Sequence, residues 1–574
     1  MPDWLRDAVF YQIYPQSFRD SNGDGIGDLP GVIEKLDYVA DTGFTAIWLN
    51  PCFVSPFRDA GYDVTDFYTV APRYGTNEDL VKLFQEAHRR GLKVVLDLVA
   101  GHTSLENEWF QASARHERNE YSNWFIWSDH WLESDPSLKM TNGIGERNGN
   151  FVTNFFYCQP ALNYGFANPD PKRPWQLPVE HPDVMAVRRE LERIMRFWLG
   201  KGADGFRIDM AASLVKADPD KEETIKLWNS YRAMFDDEFP DAALIAEWSD
   251  PSLAIRAGFH VDFLIHFNSA DYTSLFRYEK GRNVNEQWLG DSYFDRRGKG
   301  DIATFLEGYT RHFDATKTAG YISLPTGNHD LPRIRLGRDT AELKVAYAFL
   351  LTMPGVPFVY YGDEIGMRHL DLPSKEGAYT RTGARTPMQW DDRPGAGFSE
   401  ADPAELYLPV DEERGRPTVS GQRDDPDSLY NLVRSLIALR KQASALSADG
   451  DFIPLTRTGY PFVYLRRSAS QEILVVINPR GTKASAHIPL RPKAGRASSS
   501  EAAADAGAAA AGAAAAKPGD PSLRTSQGHP ALAASAGVVP VMAGGGRCTA
   551  SLSEDELFVD IGPVGWAIFE MEGR

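Results

Sequence analysis

The stretch VMAVRRELERIMRFWLGKGADGFRIDM (184–210) holds one repeat of a fold. Val187, Leu191, Ile194, Met195, Trp198 and Leu199 recur at i, i+4, i+7, i+8, i+11 and i+12, one apolar stripe of a helix. A Gly-containing turn follows, then Gly205–Asp209, a short apolar run that reads as a buried strand. Working outward, the same alternation recurs. Val9–Tyr14, Ala46–Leu49, Val94–Leu98, Leu244–Glu247, Phe263–Phe267, Tyr321–Leu324 and Phe358–Tyr361 read as seven further strands. Amphipathic segments lie between them, such as the one carrying Val32, Leu36, Val39 and Ala40. Eight β-then-α units predict an α/β fold, a closed (β/α)₈ TIM barrel. A doubly wound open sheet is the alternative, but no Gly-rich phosphate loop follows the first strand.

The regular alternation fails in two places. Residues 102–181, rich in Asn, Trp, Tyr and Pro, form too long a connection for a plain loop and predict a subdomain inserted after strand 3. The barrel then occupies 1–101 and 182–447, closing with a helix over Asp427–Leu446. Beyond it, Phe462–Arg466, Glu472–Asn478, Leu557–Asp560 and Gly565–Met571 read as strands of an all-β C-terminal domain over 448–574. An Ala/Gly/Ser-rich tract, about 494–546, interrupts that domain and offers few large apolar groups to bury.

Composition narrows the functional classes. With 574 residues, 43% hydrophobic, the chain is long enough for two or three domains. The net charge of −18 opposes a phosphate backbone, so no nucleic-acid partner is expected, whereas a neutral sugar is indifferent to it. No window approaches the roughly 20 apolar residues of a membrane helix, and the first residues, MPDWLRDAVFYQIYPQSF, lack a secretory pattern. Cys52, Cys158 and Cys548 are too few and too scattered for a disulfide framework or a zinc site. A cytoplasmic enzyme without a membrane partner is the expectation; no feature of the sequence names a protein partner.

In such a barrel, polar residues at the C-terminal ends of the strands line the active site. That rule picks out Asp97 after strand 3, Asp209 after strand 4, Glu247 after strand 5 and Asp330 in TGNHD after strand 7. Four carboxylates on one rim, with His102 and His329 close by, destabilise one another and are poorly explained as packing. Arg207 and Asp209 are two apart on a strand and point the same way, so the arginine can hold the aspartate ionised as a nucleophile. Glu247, flanked by Leu-Ile-Ala and Trp248, has surroundings that favour a protonated acid. One charged and one protonated carboxyl are what glycosidic cleavage needs.

These segments resemble glycoside hydrolase family 13, the α-amylase family: DLVAGHTS (97–104), GFRIDMA (205–211), AEW (246–248) and GNHD (327–330), in that family's order. Within it, YQIYPQSFRDSNGDGIGDLPGV, GYDVTDFY, QPALN and RTPMQW are most similar to the oligo-1,6-glucosidase, α-glucosidase and trehalose synthase group. The resemblance implies a retaining α-glucosidase acting on short oligosaccharides, or a transglycosylase or isomerase that uses the same covalent intermediate. It implies Asp209 as nucleophile, Glu247 as acid/base and Asp330 as the carboxylate that grips the sugar hydroxyls. Tyr62, Asp63, His102, Phe155, Arg207, His329 and Arg385 would contact the glucose. Gly101 and Ala161 depart from the family's pattern where an Asn and an acid help bind an interdomain calcium, so that calcium is not carried over. Met210, after the nucleophile, departs at a position tied to linkage preference.

A different metal site is expected near the start. Asp20, Asn22, Asp24, the carbonyl of Ile26 and Asp28 alternate as oxygen ligands, with Gly25 at a sharp turn, like the first nine positions of an EF-hand loop. Position twelve is Gly31 rather than a bidentate Glu, and the loop resembles the ion-binding loop of the oligo-1,6-glucosidase group. The expectation is one structural Ca²⁺, with Mg²⁺ as the alternative.

Overall fold

The computed structural model describes residues 1–142, 145–264, 270–276, 291–376, 381–490, 532–534, 537–553 and 556–571. Eight parallel strands form one sheet: β1 (Phe10–Ile13), β2 (Ala46–Leu49), β3 (Lys93–Leu98), β4 (Gly205–Ile208), β5 (Ala243–Ala246), β6 (Val261–Phe263), β7 (Tyr321–Ser323) and β8 (Phe358–Tyr360). Each strand pairs with its sequence neighbour from β1 to β7, β8 returns to pair with β1, and a parallel bridge from Pro325 to Phe358 links the two ends of the sheet. The sheet is therefore wrapped into the barrel expected from the alternation. Strand bodies such as Ala243–Ala246 are wholly buried because helices cover them outside and opposing strands fill the interior.

The sixth strand departs from its predicted range. It spans Val261–Phe263 rather than Phe263–Phe267, and residues 265–267 lie outside the described residues. Asp262, an acid in mid-strand, disguises the run. The helix that opened the sequence reading spans Pro182–Leu199 and buries Val187, Leu191, Ile194, Met195, Trp198 and Leu199. His181 caps it, its ring accepting from Asp183 N–H, and Pro182 stands at its first position, where a missing N–H costs nothing.

Between β3 and that helix the chain builds a small unit with its own core of Ile126, Val152, Ala161, Phe166 and Trp175. An antiparallel pair, Met140–Thr141 with Phe151–Val152, stiffens it. The all-β unit after the barrel consists of two sheets. One orders Asp451–Pro454, Phe462–Arg467, Glu472–Asn478, Gly565–Met571 and Val538–Gly544; the other orders Ala484–Pro489, Glu556–Ile561, Cys548–Ser553 and Leu532–Ala534. Their shared core includes Val463, Leu474, Val476, Val559 and Phe569.

Val538–Gly544 falls inside the tract that composition assigned to the insertion, yet it is an edge strand paired with Gly565–Met571. Pro540 sits beside a bulge there, tolerable because an edge strand needs only one ladder. Residues 491–531, which include the earlier part of the tract, lie outside the described residues.

Two buried arginines meet near the seam of barrel and β unit, Arg440 on the last barrel helix and Arg466 in the β unit; only Arg466 reaches across it. Arg440 donates to the carbonyls of Leu351, Met353 and Gly355, and Arg466 to those of Thr352, Ser447 and Gly450. Both thus satisfy the open carbonyls at the end of the helix Thr340–Thr352.

Candidate active site

The rim carboxylates converge on one guanidinium. Asp97 and Arg207 are register partners on β3 and β4, so their side chains emerge together. Arg207 Nη1 donates to Asp97 Oδ1 at 2.9 Å and to Asp209 Oδ1 at 3.1 Å, while Nη2 lies 2.7 Å from Glu247 Oε1. Its planar fork presents Nη1 to two acids and Nη2 to the third. Asp97 is completed by Trp48 Nε1–H at 3.0 Å and Tyr62 O–H at 2.8 Å, which fixes both rings against the site. Directly after Asp209 the chain turns left-handed at Met210, with φ +46°, and Met210 N–H reaches Glu247 Oε2 at 3.0 Å. A non-glycine residue holds that conformation only when its surroundings impose it.

Asp330 is anchored on the opposite wall. Arg381 Nη1 and Arg385 Nη2 meet its Oδ1 at 2.6 and 2.9 Å, and His329 Nε2 lies 3.3 Å from Oδ2. His329 Nδ1 faces the amide nitrogens of Gln12 at 3.1 Å and Asn50 at 3.2 Å. Two amide donors make Nδ1 the acceptor, so the ring proton is assigned to Nε2, toward Asp330. The Tyr62 ring stacks on this imidazole at 5.0 Å and 8°. Arg381 also reaches Asp59 Oδ1 at 2.5 Å, and Gln159 Nε2 donates to Asp59 Oδ2 at 2.7 Å.

The charges divide unevenly. Burial and the neighbouring Glu247 carboxylate push Asp209 well above the usual carboxylate range, against the pull of Arg207. Burial raises Glu247 too, with Arg207 and Met210 N–H opposing. Two buried acids beside one cation titrate as a pair rather than singly. Arg207 is therefore not a private partner of Asp209, as the strand spacing suggested: it is shared, with its shortest contact to Glu247. Asp330 differs. Burial opposes its charge, but His329, Arg381 and Arg385 overcome it and hold the carboxyl well below the usual range. Burial lowers His102 to about 3 and leaves it neutral, its Nε2 3.0 Å from the Tyr62 carbonyl.

These groups surround a cavity of about 270 Å³ lined by Asp59, Tyr62, His102, Phe155, Asp209, Met210, Ala212, Ser213, Glu247, Trp248, Ser249, Asp330 and Arg381. Of the predicted residues, Tyr62, His102, Phe155, Asp209, Glu247 and Asp330 reach it directly; Arg207, His329 and Arg385 are buried just behind its wall. Asp63 does not belong there. Its carboxylate accepts from Ser55 Oγ and from the N–H groups of Arg58 and Asp59, tying off its own loop, and burial raises it to about 6. The acid that faces the cavity is Asp59, four residues earlier, and the arginine that does so is Arg381, four residues before Arg385. Each had a partner of like chemistry in the same short segment, RDAGYD or RTGAR, and sequence spacing alone does not say which of the two points inward.

The Alpha amylase, catalytic domain family model matches residues 12–449. The chain belongs to the α-amylase family. It is 31% identical over 528 residues to the oligo-1,6-glucosidase of Parageobacillus thermoglucosidasius, covering 83% of this chain and 90% of that protein. It is 30% identical over 512 residues to the α-glucosidase of Culex pipiens, covering 84% and 82%. To the trehalose synthase/amylase TreS of Mycobacterium tuberculosis it is 33% identical over 491 residues, covering 78% and 76%. The trehalulose synthase MutB from Pseudomonas mesoacidophila shares the fold, with a TM-score of 0.73 at 24% identity and full coverage of both chains. The protein is accordingly a glycosidase of the α-amylase family.

The Asp20–Asp28 loop of this family member is organised by its own side chains. Asp20 accepts from the N–H groups of Asn22, Gly23 and Gly25 and from Ser399 Oγ; Asn22 accepts from Asp24 N–H, and Asp24 from Ile26 N–H. Asp28 caps the helix Leu29–Glu34 through Gly31 N–H and also accepts from Ser21. Gly25 has φ +84°, and a Cβ there would come within 2.7 Å of the Glu405 carbonyl, so glycine is required. The donors are hard oxygens, a set that suits calcium by its chemistry. Among the described residues no group of three or more His, Cys, Asp or Glu side chains is arranged to hold a metal ion. Also among the described residues, no helix is long and apolar enough to cross a membrane.

Proposed function

We propose that the enzyme is a retaining, exo-acting α-glucosidase that removes terminal glucose from short oligosaccharides. The observation that carries this reading is the cavity itself: at about 270 Å³, with the Asp59–Arg381 ion pair and Asp330 in its lining, it suits one terminal sugar. That is just below the roughly 300 Å³ at which drug-sized sites begin. In the proposed cycle Asp209, ionised, attacks the anomeric carbon as Glu247 donates its proton to the departing glycosidic oxygen. Glu247, now ionised, takes a proton from the water that releases glucose. Asp330, kept anionic by His329, Arg381 and Arg385, accepts from sugar hydroxyls as positive charge grows on the ring.

A sugar in place of that water would give transglycosylation or isomerisation, a second reading favoured by the likeness to TreS. Chromatography of products from maltose, isomaltose, sucrose, trehalose and starch tests both. Free glucose from the disaccharides, with starch nearly untouched, is expected; a disaccharide isomer as main product would replace the first reading by the second, and rapid internal cleavage of starch would refute both. Two further readings belong to the proposal. Calcium, or magnesium in its place, would fill the Asp20–Asp28 loop, supported by its oxygen donors alone. A cytoplasmic location suits three free, buried cysteines, as a reducing compartment leaves them unpaired.

A further inference from the structure

Asp262 is a buried acid to which the proposed cycle gives no task. It stands in mid-strand on β6, fully buried, as the register partner of Ala246, the residue before Glu247. Its Oδ1 accepts the N–H of Trp248 at 3.0 Å, and its Oδ2 has no hydrogen-bond partner among the described residues. Burial holds it well above the usual carboxylate range, with the N–H groups of Trp248, Ser249 and Phe263 pulling the other way. A buried polar group of this kind is retained at a cost, and its one clear contact is with the turn that carries the acid/base candidate.

That turn is strained. Ser249 has φ +65°, a left-handed conformation in a residue other than glycine. On the β4 side the main chain of Glu247 is fixed by its N–H to the Ile208 carbonyl at 3.0 Å and by its carbonyl to Ala211 N–H at 3.1 Å. On the far side, the side-chain anchor is Asp262 on Trp248 N–H. Trp248 and Ser249 both line the cavity, so a relaxed turn would move the cavity wall and the Glu247 carboxyl together.

We infer that Asp262 is a positioning residue for Glu247: its carboxyl oxygen clamps the left-handed turn Glu247–Ser249 and thereby aims the acid/base carboxyl at the glycosidic oxygen. The inference rests on the reading of Glu247 as proton donor. Misplacement of a catalytic group by a fraction of its bond reach costs rate more than affinity, and it costs most where protonation of the leaving group matters.

The test compares maltose, a poor leaving group, with 4-nitrophenyl α-glucoside, a good one. Asp262→Ala should lower kcat on maltose roughly 30-fold and on the aryl glucoside only about threefold, with KM within about twofold. Asp262→Asn keeps a carbonyl oxygen for Trp248 N–H and should stay within about threefold of wild type on both. Adding Ser249→Gly to Asp262→Ala should recover most of the maltose loss, because glycine reaches positive φ without strain. Asp262→Thr, of smaller reach, serves for the same comparison if Asp262→Ala does not fold. Equal losses on the two substrates, an Asn variant as damaged as the Ala variant, or no recovery with Ser249→Gly would overturn the inference. Glu247→Gln is measured alongside. If it lacks the leaving-group bias, the acid/base reading falls; if it has the bias and Asp262→Ala does not, only the clamp falls.

Discussion

Replacing Arg207 by Gln removes the one cation that Asp97, Asp209 and Glu247 share. A unit charge about 4 Å away, at an effective dielectric near 20, is worth about 4 kcal/mol. At about 1.4 kcal/mol per pKa unit this sets an upper bound of about three units on any one acid. Because the guanidinium is divided among three carboxylates, a rise on the order of one to two units in the pKa of the Asp209–Glu247 pair is expected. The sign follows from the charge: Arg207 favours the ionised forms, so without it ionisation of Asp209 requires a higher pH. Activity on 4-nitrophenyl α-glucoside, whose departure needs little protonation, should therefore lose its acidic limb by that amount toward alkali. At neutral pH kcat should fall on the order of 10³-fold, with the lost transition-state contacts included. The assay is kcat/KM against pH for both proteins, with circular dichroism to confirm folding. An acidic limb that stays where it is in a folded Arg207→Gln protein would refute the shared-cation account.

Asp209→Asn should lower kcat by about 10⁴-fold or more with little change in melting, and proton NMR of the first-formed sugar should show the α-anomer; an initial β-anomer would exclude retention. Asp59→Ala should raise KM for maltose at least about tenfold, since it removes a cavity-lining acid and leaves Arg381 half-paired; Asp63→Ala should instead lower Tm with kcat/KM changed less than about threefold, and the reverse pattern would restore Asp63 to the site. Removing 498–530 with a short linker should leave activity and Tm nearly unchanged, because loop length costs only about 0.6 kcal/mol per doubling. Extending the deletion through Gly546 removes the strand Val538–Gly544 and should lower Tm by several degrees, so equal stability of the two deletions would contradict that strand's pairing. A chelator should lower Tm by several degrees and leave kcat unchanged if the Asp20–Asp28 loop carries calcium, and Asp24→Ala should abolish that sensitivity; a metal-free wild type of unchanged Tm rejects the site.

The barrel was readable because its two patterns are so different: a 3.6-residue stripe such as Val187–Leu199, and a four-residue apolar run such as Ala46–Leu49. Where that contrast weakened, so did the reading. Asp262 broke the sixth run and moved its expected range toward Phe267, and Val538–Gly544 (VVPVMAG), though rich in Val, was hidden by Pro540 in its middle and by the Ala/Gly-rich tract that leads into it. For the site, the rule that strand ends face the active centre found Asp97, Asp209 and Glu247, which lie in or directly after a strand, and Asp330, which lies farther out and is held by Arg381 and Arg385. It could not choose between Asp59 and Asp63, or between Arg381 and Arg385, because loop backbone sets those directions by contacts far along the chain, such as Arg381 to Asp59. Shared ownership of Arg207 was equally hidden, since it depends on a register between strands rather than a spacing within one.

The arginine pair at the seam between barrel and β unit bears on how the molecule is made. A chain leaves the ribosome from its N-terminus, so the helix Thr340–Thr352 emerges long before Arg440 and longer still before Arg466. Until both have emerged, the carbonyls of Leu351, Thr352, Met353 and Gly355 lack their final donors. A nascent chain stalled before Arg466 should remain open to protease at this seam, and the finished protein should melt as one body rather than shedding its β unit first.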